Sequence, residues 1–408
     1  MRKFIIIGAA ILAIAAGFGL TRLMPGSSRA AQTYSKDAGS FYRLRAGFQI
    51  KGTGERVDFD YVVACNIRLT RWRDGGLSDD TTFSPRVMVK ATERGHAVML
   101  KTLNACGGLR SEGGDIPPDV LPVAIWFDSV DDLSNGLAYM SEAAYENSIA
   151  KLRFNSARVD AASRSDWEAW RKKSADGYAD RGALPGPWGY DYPNNMDVSN
   201  PDIGKYVAAC NGYRRIKLPE VIKAKLRLLW PGDRPRFWAL ASGQDDTIIE
   251  LLNDWKIAEP PGTSAFGTPG SGGGVEWSGV PVRSGRWAQR PPHVPNRWPT
   301  EIYPFLWPPM ISANPIAAPP PTAPAEHYVQ KLDFSDGALN GFAACHSRRD
   351  GIGLAIESVD PGWALKPHVF MVDGERVREG RGGQIRSLAP TFVLQRDEYI
   401  FMQFSTGL

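Results

Sequence analysis

Histidine and cysteine are scarce in this 408-residue chain, which contains five histidines and four cysteines. No two histidines stand at a spacing typical of metal ligands, so the sequence predicts no metal site and no cofactor. The glycine-rich stretch PGSGGGVEW is not followed by the Gly-Lys-Ser/Thr of a phosphate-binding loop. Pro269, its first residue, also breaks the Gly-x-Ser-x-Gly pattern of a serine nucleophile. Asp74, Asp79 and Asp80 do not fit the spacing of a twelve-residue calcium loop, and a solvated turn explains them better.

Net charge is absent once the first 30 residues are set aside. The whole chain has 48 lysines and arginines against 44 aspartates and glutamates. The first 30 residues contain four of the basic residues and no acidic one, so the remainder is neutral; the four are Arg2, Lys3, Arg22 and Arg29. A neutral body exerts no net attraction on a polyanion, and we therefore expect no binding to nucleic acid.

An uncharged apolar run extends from Phe4 to Leu20, and it is the one segment long enough to approach the width of a bilayer. If a peptidase cuts after Ala30, the run is a signal peptide and the product is secreted. If it is not cut, the run is a transmembrane anchor whose preceding residues, Arg2 and Lys3, stay in the cytoplasm. We favour the anchor, because the run is long for a signal-peptide core. Both alternatives predict that the following residues lie outside the cytoplasm. With the anchor they lie in the cell envelope, facing the periplasm.

Three of the four cysteines occur in similar heptapeptides. Cys65 lies in DYVVACN, Cys210 in KYVAACN and Cys345 in NGFAACH. Downstream of each come a proline, a basic residue, an apolar run, a polar turn and a second run, which is the pattern of a β-hairpin. In the third of these stretches the turn is Asp373-Gly374, a pair that accepts the positive φ angles of a two-residue hairpin turn.

This recurring order predicts a mainly β fold with minor α content (α+β), arranged as three β-rich units. The alternative is that hairpins bounded by proline are common in β proteins and that the similarity is chance. The predicted segments after the apolar run are a flexible linker at 21–39, unit 1 at 40–140, a helical connector at 141–189, unit 2 at 190–310, a proline-rich linker at 311–326 and unit 3 at 327–408.

Two stretches have the signals of helices. In SRSDWEAWRKKSADG, Ser165 is the predicted N-cap, Glu168 follows it by three residues and Gly177 is the predicted stop. In LPEVIKAKLRLLWPGD, Pro219 opens and Pro231 ends a second helix, although its leucines would suit a strand nearly as well.

The composition changes at residue 258, where a long stretch rich in proline, glycine and tryptophan begins within unit 2. Large indole rings are seldom left in water without a use, and they stack well on apolar or sugar surfaces. They either pack on the parent domain or contact a ligand or partner. The candidate binding residues are Trp277, Trp287, Trp298 and Trp307.

Cys345 stands beside His346, which raises the question of a thiol nucleophile. Neighbouring residues on a strand point to opposite faces, so His346 could not remove the proton of Cys345. A buried packing role also explains all three similar cysteines, whereas catalysis would explain one. We expect Cys65 and Cys106 to form a disulfide in an oxidising compartment. Cys210 and Cys345 either pair or stay reduced, and the sequence does not decide between these outcomes.

The sequence therefore predicts an exported, membrane-anchored envelope protein with a non-catalytic binding or structural role, and with a membrane contact through its N-terminal helix. An envelope protein or a glycan is the expected partner. The alternative function is a hydrolase of cell wall or glycan whose carboxylates come together only in the fold. No catalytic residue is assigned.

Overall fold

The computed structural model describes half of the chain and shows a mainly β protein with short helices. The described residues are 32–71, 77–103, 105–106, 122–173, 207–240, 251, 300–304, 329–334, 337–347, 369–379, 392–396 and 398–407. None of the helices among them is long and apolar enough to cross a bilayer. The predicted anchor at 4–20 lies outside these residues, as does Gly177.

The strands and helices are numbered here in chain order. Eighteen strands are present in the described part: β1 (Gln32–Ile50), β2 (Arg56–Arg71), β3 (Leu77–Ser84), β4 (Val87–Ala91), β5 (Ala97–Lys101), β6 (Ala124–Phe127), β7 (Asn135–Tyr139), β8 (Leu152–Ala162), β9 (Val207–Lys217), β10 (Phe237–Leu240), β11 (Thr300–Pro304), β12 (Val329–Leu332), β13 (Phe342–Ser347), β14 (Val369–Val372), β15 (Glu375–Arg376), β16 (Arg378–Glu379), β17 (Phe392–Gln395) and β18 (Tyr399–Gly407). Its helices are α1 (Glu142–Glu146), α2 (Arg164–Lys173) and α3 (Glu220–Leu229), with a 3₁₀ turn at Gly337–Leu339.

The chain divides into two compact units. The smaller consists of residues 1–36 and 67–81, of which the structure describes the outer parts of β1, β2 and β3. The larger consists of residues 37–66 and 82–408. β1 begins at Gln32, so the last part of the stretch expected to be a linker, 21–39, is a strand.

A sheet of four strands has the order β3-β2-β1-β8. β1 shows the alternation of a strand with one buried face, because Tyr42, Leu44 and Phe48 are fully buried. Between them, Arg43 and Arg45 form ion pairs on the opposite face with Asp60 and Asp160. This face is a solvated, charged surface.

A second sheet of eleven strands has the order β16-β10-β17-β18-β9-β13-β7-β6-β5-β4, and β11 also pairs with β9. Its pairs are antiparallel except for β10 with β16. One edge of β9 is paired along most of its length with β18. β11 and β13 share its other edge, with β11 opposite residues 212–216 and β13 opposite residues 207–211. β9 is therefore the strand at which distant parts of the sequence meet.

Hydrophobic clusters cover both faces of the eleven-stranded sheet. On one face of the β4–β7 end, apolar residues pack against β1, β2 and β8; they include Val98, Leu100, Ala124 and Trp126. On the other face lie Val89, Met99, Ile125 and Phe127, together with Cys210 and Cys345. At the opposite end, one face packs on β12 and the turn after β14, and the other packs on α3 and Leu251.

Two of the predicted hairpins are confirmed where the structure describes both strands. β4 and β5 are antiparallel, as predicted for the first unit. β14 and β15 are antiparallel across Asp373 and Gly374, whose φ angles are 48° and 77°. In the middle unit, β10 supplies the first strand. Of the run that would form the second strand, the structure describes Leu251, which is helical, so the predicted strand is wrong at that residue.

Strands from all three predicted β-rich units hydrogen-bond within the one eleven-stranded sheet. The segment expected to be a helical connector, 141–189, contains α1 and α2 but also β8. The threefold repeat itself stays a prediction.

The predicted cap of α2 is wrong, although the helix is present. Ser163, not Ser165, is its N-cap: the Ser163 hydroxyl accepts a hydrogen bond from the Asp166 amide at 3.1 Å. The Asp166 carboxylate in turn accepts one from the Ser163 amide at 2.8 Å, which completes a capping box. These hydrogen bonds from Ser163 lower the pKa of Asp166. The reciprocal partner is therefore Asp166 rather than the predicted Glu168.

The second predicted helix, α3, begins directly after Pro219 and ends before Pro231. The stretch is therefore a helix and not a strand. Its residues Ile222 and Leu226 pack in the core cluster on the sheet. Lys223, on the same side, is 8% exposed and forms an ion pair with Glu220 at 2.7 Å.

Candidate functional site

The four tryptophans predicted to bind a partner, Trp277, Trp287, Trp298 and Trp307, lie outside the described residues. Two of them are near a described strand in the sequence. Trp298 precedes β11 by two residues, and Trp307 follows it by three. The position of β11 on the sheet is therefore the structural fact nearest to the predicted binding segment.

The first disulfide joins Cys65 of β2 to Cys106, five residues after β5. This is the pairing that the sequence suggested. Both cysteines are fully buried in the cluster between the two sheets, and their Cα atoms are 5.5 Å apart. The bond closes a sequence separation of 41 residues.

The second disulfide joins Cys210 of β9 to Cys345 of β13 and resolves the question that the sequence left open. The two residues are directly opposite in the antiparallel register of these strands. Both are fully buried, and the bond spans 135 residues of sequence. It crosslinks the centre of the eleven-stranded sheet, beside the point where β11 joins β9.

All four cysteines of the chain are used in these two bonds. Cys345 consequently has no thiol that could ionise and act as a nucleophile. Its role is to crosslink strands, which extends the packing role that the sequence indicated.

A cluster of charged and aromatic side chains surrounds Arg215 on one face of β9. Across the strand pairs, Arg215 stands between Glu301 of β11 and Phe401 of β18. The next buried residue on the same face of β9 is Tyr213, which is opposite Tyr303 of β11. Alternation along three neighbouring strands thus places these side chains together. We call this group the Arg215 cluster: Arg215, Glu301, Tyr303, Phe334 and Tyr399.

The guanidinium of Arg215 is enclosed by three aromatic rings. Its central carbon lies 5.2 Å from the ring centre of Tyr303, 4.9 Å from that of Phe334 and 4.7 Å from that of Tyr399. These distances are within the range of cation–π attraction. Arg215 also forms an ion pair with Glu301, and its side chain is only 16% exposed, against 38% for Glu301. The cation is therefore held by rings on several sides and by one carboxylate.

The electrostatics of the Arg215 cluster oppose proton transfer near neutral pH. Burial lowers the pKa of Arg215, but its hydrogen bond to Glu301 and its electrostatic interactions with Tyr303, Glu301 and Tyr399 outweigh burial and raise it overall. Burial, with a contribution from Glu301, raises the pKa of Tyr303 to about 12. Arg215 stays charged and Tyr303 stays neutral, so neither is suited to act as a general acid or base.

A second set of ion pairs lies beside the cluster. Arg236, just before β10, donates to Glu375 at 2.9 Å and approaches Asp373 at 3.5 Å. The Asp373 carboxylate also accepts a hydrogen bond from the amide of Phe334 at 2.8 Å. This contact fixes the segment that carries Phe334 into the Arg215 cluster.

Sequence reasoning did not identify the Arg215 cluster, and only a weak signal for it exists. Arg215 interrupts an otherwise apolar alternation on β9, between buried Tyr213 and exposed Lys217. Its partner Glu301 is 86 residues away along the chain.

The alternative function, a glycan hydrolase, stays a prediction. A glycosidase requires a carboxyl group whose pKa is raised. The resolved carboxylate shifts are downward: hydrogen bonding to Ser163 lowers the pKa of Asp166, and hydrogen bonding to Lys223 lowers that of Glu220. Within the described ranges, no three histidine, cysteine, aspartate or glutamate residues are grouped so as to hold a metal ion.

Comparison with known proteins found no match to this chain among family models, curated proteins or solved structures.

We expect Arg215→Lys to lower the free energy of unfolding by about 1 to 2 kcal/mol. The lysine ammonium keeps the charge but loses the flat guanidinium that contacts three rings. The measurement is urea denaturation followed by circular dichroism. Arg43→Lys is the matched control, because Arg43 is 39% exposed in its ion pair with Asp60, and its replacement should cost less than about 0.5 kcal/mol. Equal losses for the two variants would show that the rings around Arg215 contribute nothing.

Proposed function

We propose that this chain is an exported envelope protein with a non-catalytic binding role, anchored in the inner membrane by residues 4–20. Its disulfide-linked β scaffold holds the tryptophan-containing segments on either side of β11 for contact with an envelope protein or a glycan. The observation that carries the proposal is the use of all four cysteines in two buried disulfides.

Disulfides of this kind support export, because they form and persist in oxidising compartments and are rare in the cytosol. They link residues that are 41 and 135 positions apart in the sequence, so they stabilise long-range structure rather than a local turn. The apolar run at the N-terminus supplies the means of export.

The position of β11 supports the binding role. This five-residue strand is paired with β9 and is secured by the ion pair between Glu301 and Arg215. A further hydrogen bond holds β11 in place: the amide of Gly341 donates to the carbonyl of Ile302 at 2.7 Å. The chain that leads to Trp298 on one side and to Trp307 on the other therefore starts from a strand held in the sheet. This lowers the entropy cost of ordering their rings against a partner.

Export is tested with two reporters fused at the C-terminus. An alkaline phosphatase fusion should be active and a β-galactosidase fusion inactive, because the first enzyme needs disulfides and the second needs the cytoplasm. Protein from the same cells, digested without reduction, should give peptides that link Cys65 to Cys106 and Cys210 to Cys345. An active β-galactosidase fusion with a silent phosphatase fusion would rule out export.

Binding is tested by formaldehyde cross-linking in cells and by sedimentation with purified cell-wall sacculi. The double variant Trp287→Ala/Trp298→Ala should lose the adducts or the sedimentation that the wild-type chain shows. Ile149→Ala is a control, since it removes an apolar side chain that is 38% exposed and lies outside α3. Unchanged binding by the tryptophan variant, with both disulfides intact, would remove these residues from the proposal.

A further inference from the structure

Helix α3 has an apolar face that points away from the protein. The structure describes only four exposed large hydrophobic side chains, and three of them are on α3. Leu228 is 86% exposed, Val221 is 60% exposed and Leu229 is 37% exposed. Singly exposed apolar residues are ordinary, but three on a ten-residue helix indicate a surface that contacts something.

The geometry of the helix places Val221 and Leu228 together. They are seven residues apart, and Ala224 and Lys225 lie between them at intervals of three and four residues from each, so the four share one face. Leu229, four residues after Lys225, lies at the edge of this face. Ile222 and Leu226 lie on the opposite side and pack in the core with Trp238, Leu394 and Ile400. The exposed apolar face therefore does not result from a loosely docked helix.

Positive charge borders this face. Lys217, Lys225 and Arg227 are all exposed. The acidic residue of α3, Glu220, is paired with Lys223, and Lys217 and Arg227 also act electrostatically on its carboxylate. Residues 217–229 thus contain four basic side chains and one acidic one. Exposed apolar residues between basic ones are the pattern of a helix that lies on an anionic membrane surface.

We infer that α3 docks in the plane of a membrane through Val221, Leu228 and Leu229, with Lys217, Lys225 and Arg227 contacting anionic phospholipid headgroups. This inference rests on the proposed function, because it requires the protein to reside at a membrane. A second copy of the chain is a poorer occupant. In a two-fold contact the basic border of one helix would face that of the other, and the like charges would repel.

The test uses the full chain in lipid nanodiscs and hydrogen–deuterium exchange read by mass spectrometry. One disc contains phosphatidylcholine alone, and the other contains phosphatidylcholine with phosphatidylglycerol. Amides of residues 218–230 should exchange about tenfold more slowly in the anionic disc. Amides of α2, whose exposed surface lacks such apolar residues in the described structure, should exchange at the same rate in both discs.

The variant Val221→Asp/Leu228→Asp should lose this lipid-dependent protection, since it places negative charge on the docking face. Both positions are exposed, so the fold should survive. Ile149→Asp is the matched control: among the described residues Ile149 is the other exposed large apolar one, 38% exposed and outside α3, and its replacement should keep the protection. Equal exchange in the two discs for the wild-type chain would overturn the inference. So would protection of the aspartate variant, or protection that depends on protein concentration, which would indicate a second copy.

The failure of this inference is separable from the failure of the proposed anchor. Co-elution of the chain with neutral discs reports insertion of residues 4–20 and does not depend on α3. If the chain does not co-elute with neutral discs, the anchor is wrong, while exchange in α3 on added anionic discs still decides the docking inference.

Discussion

Replacing Cys210 and Cys345 together by alanine is expected to lower the free energy of unfolding by about 4 to 5 kcal/mol. The bond closes a sequence separation of 135 residues, and a crosslink over so long a loop removes much of the entropy of the unfolded chain. The expected loss is a large part of the stability of an ordinary domain. Urea denaturation of the oxidised protein, followed by circular dichroism, measures it.

The pair Cys65→Ala/Cys106→Ala is the internal comparison. Its loop is shorter, with a separation of 41 residues, so its loss should be smaller by about 1 kcal/mol. A reducing agent should destabilise the wild-type protein but should leave a variant without any of the four cysteines unchanged. If the Cys210→Ala/Cys345→Ala variant unfolds at the same urea concentration as the wild type, the bond does not hold β9 to β13 in solution.

Gly341→Ala is expected to be the most damaging single substitution, with a loss of about 3 to 5 kcal/mol in the free energy of unfolding. Gly341 has a φ angle of +96°, which residues with a side chain rarely adopt. An added Cβ would lie 2.3 Å from the amide nitrogen of Ala144 and 2.9 Å from its Cα, so backbone would have to move. Its carbonyl also accepts hydrogen bonds from the amides of Met140 and Ser141.

Gly374→Ala separates the cost of the positive φ angle from the cost of the close approach to Ala144. Gly374 also has a positive φ angle, +77°, but an added Cβ there would meet nothing within 4 Å. Its substitution should therefore cost only about 1 kcal/mol, the conformational part alone. Denaturation curves of the two variants give the comparison, and similar losses would mean that the close approach to Ala144 is not a constraint.

The contacts of Gly341 also explain why its substitution should disturb more than one strand. Gly341 lies one residue before β13, donates to Ile302 of β11 and accepts from residues at the start of α1. Four residues after Gly341, Cys345 of β13 is bonded to Cys210 of β9. A displacement here would reach both the second disulfide and the strand that carries Glu301 of the Arg215 cluster.

Local signals in the sequence predicted the elements that local physics controls. The Asp373-Gly374 turn was predictable because a two-residue hairpin requires positive φ angles at both positions, and the structure has them. The hairpin of β4 and β5 followed from two apolar runs on either side of a polar turn. The cap of α2 was misplaced by two residues because Ser163 and Ser165 both precede an acidic residue by three, and the sequence does not rank them.

The candidate sites were much less accessible to sequence reasoning. The Arg215 cluster draws on β9, β11, β18 and the residue that follows β12 by two, so its members become neighbours only when these strands pair. The exposed face of α3 was equally hidden. Its leucines suit a helix core or a strand, and only docking on the sheet determines that Leu226 is buried and Leu228 is not.

The sequence by itself determined the β-rich class, two hairpins, the places of α2 and α3, and three similar cysteines suited to burial. These features depend on turn residues, on apolar periodicity and on capping, which act over fewer than about ten residues. Only the tertiary structure decided that Cys210 bonds to Cys345, that Arg215 is surrounded by three rings, and which face of α3 meets solvent. Those outcomes depend on the register and order of strands far apart in the chain, which no local pattern specifies.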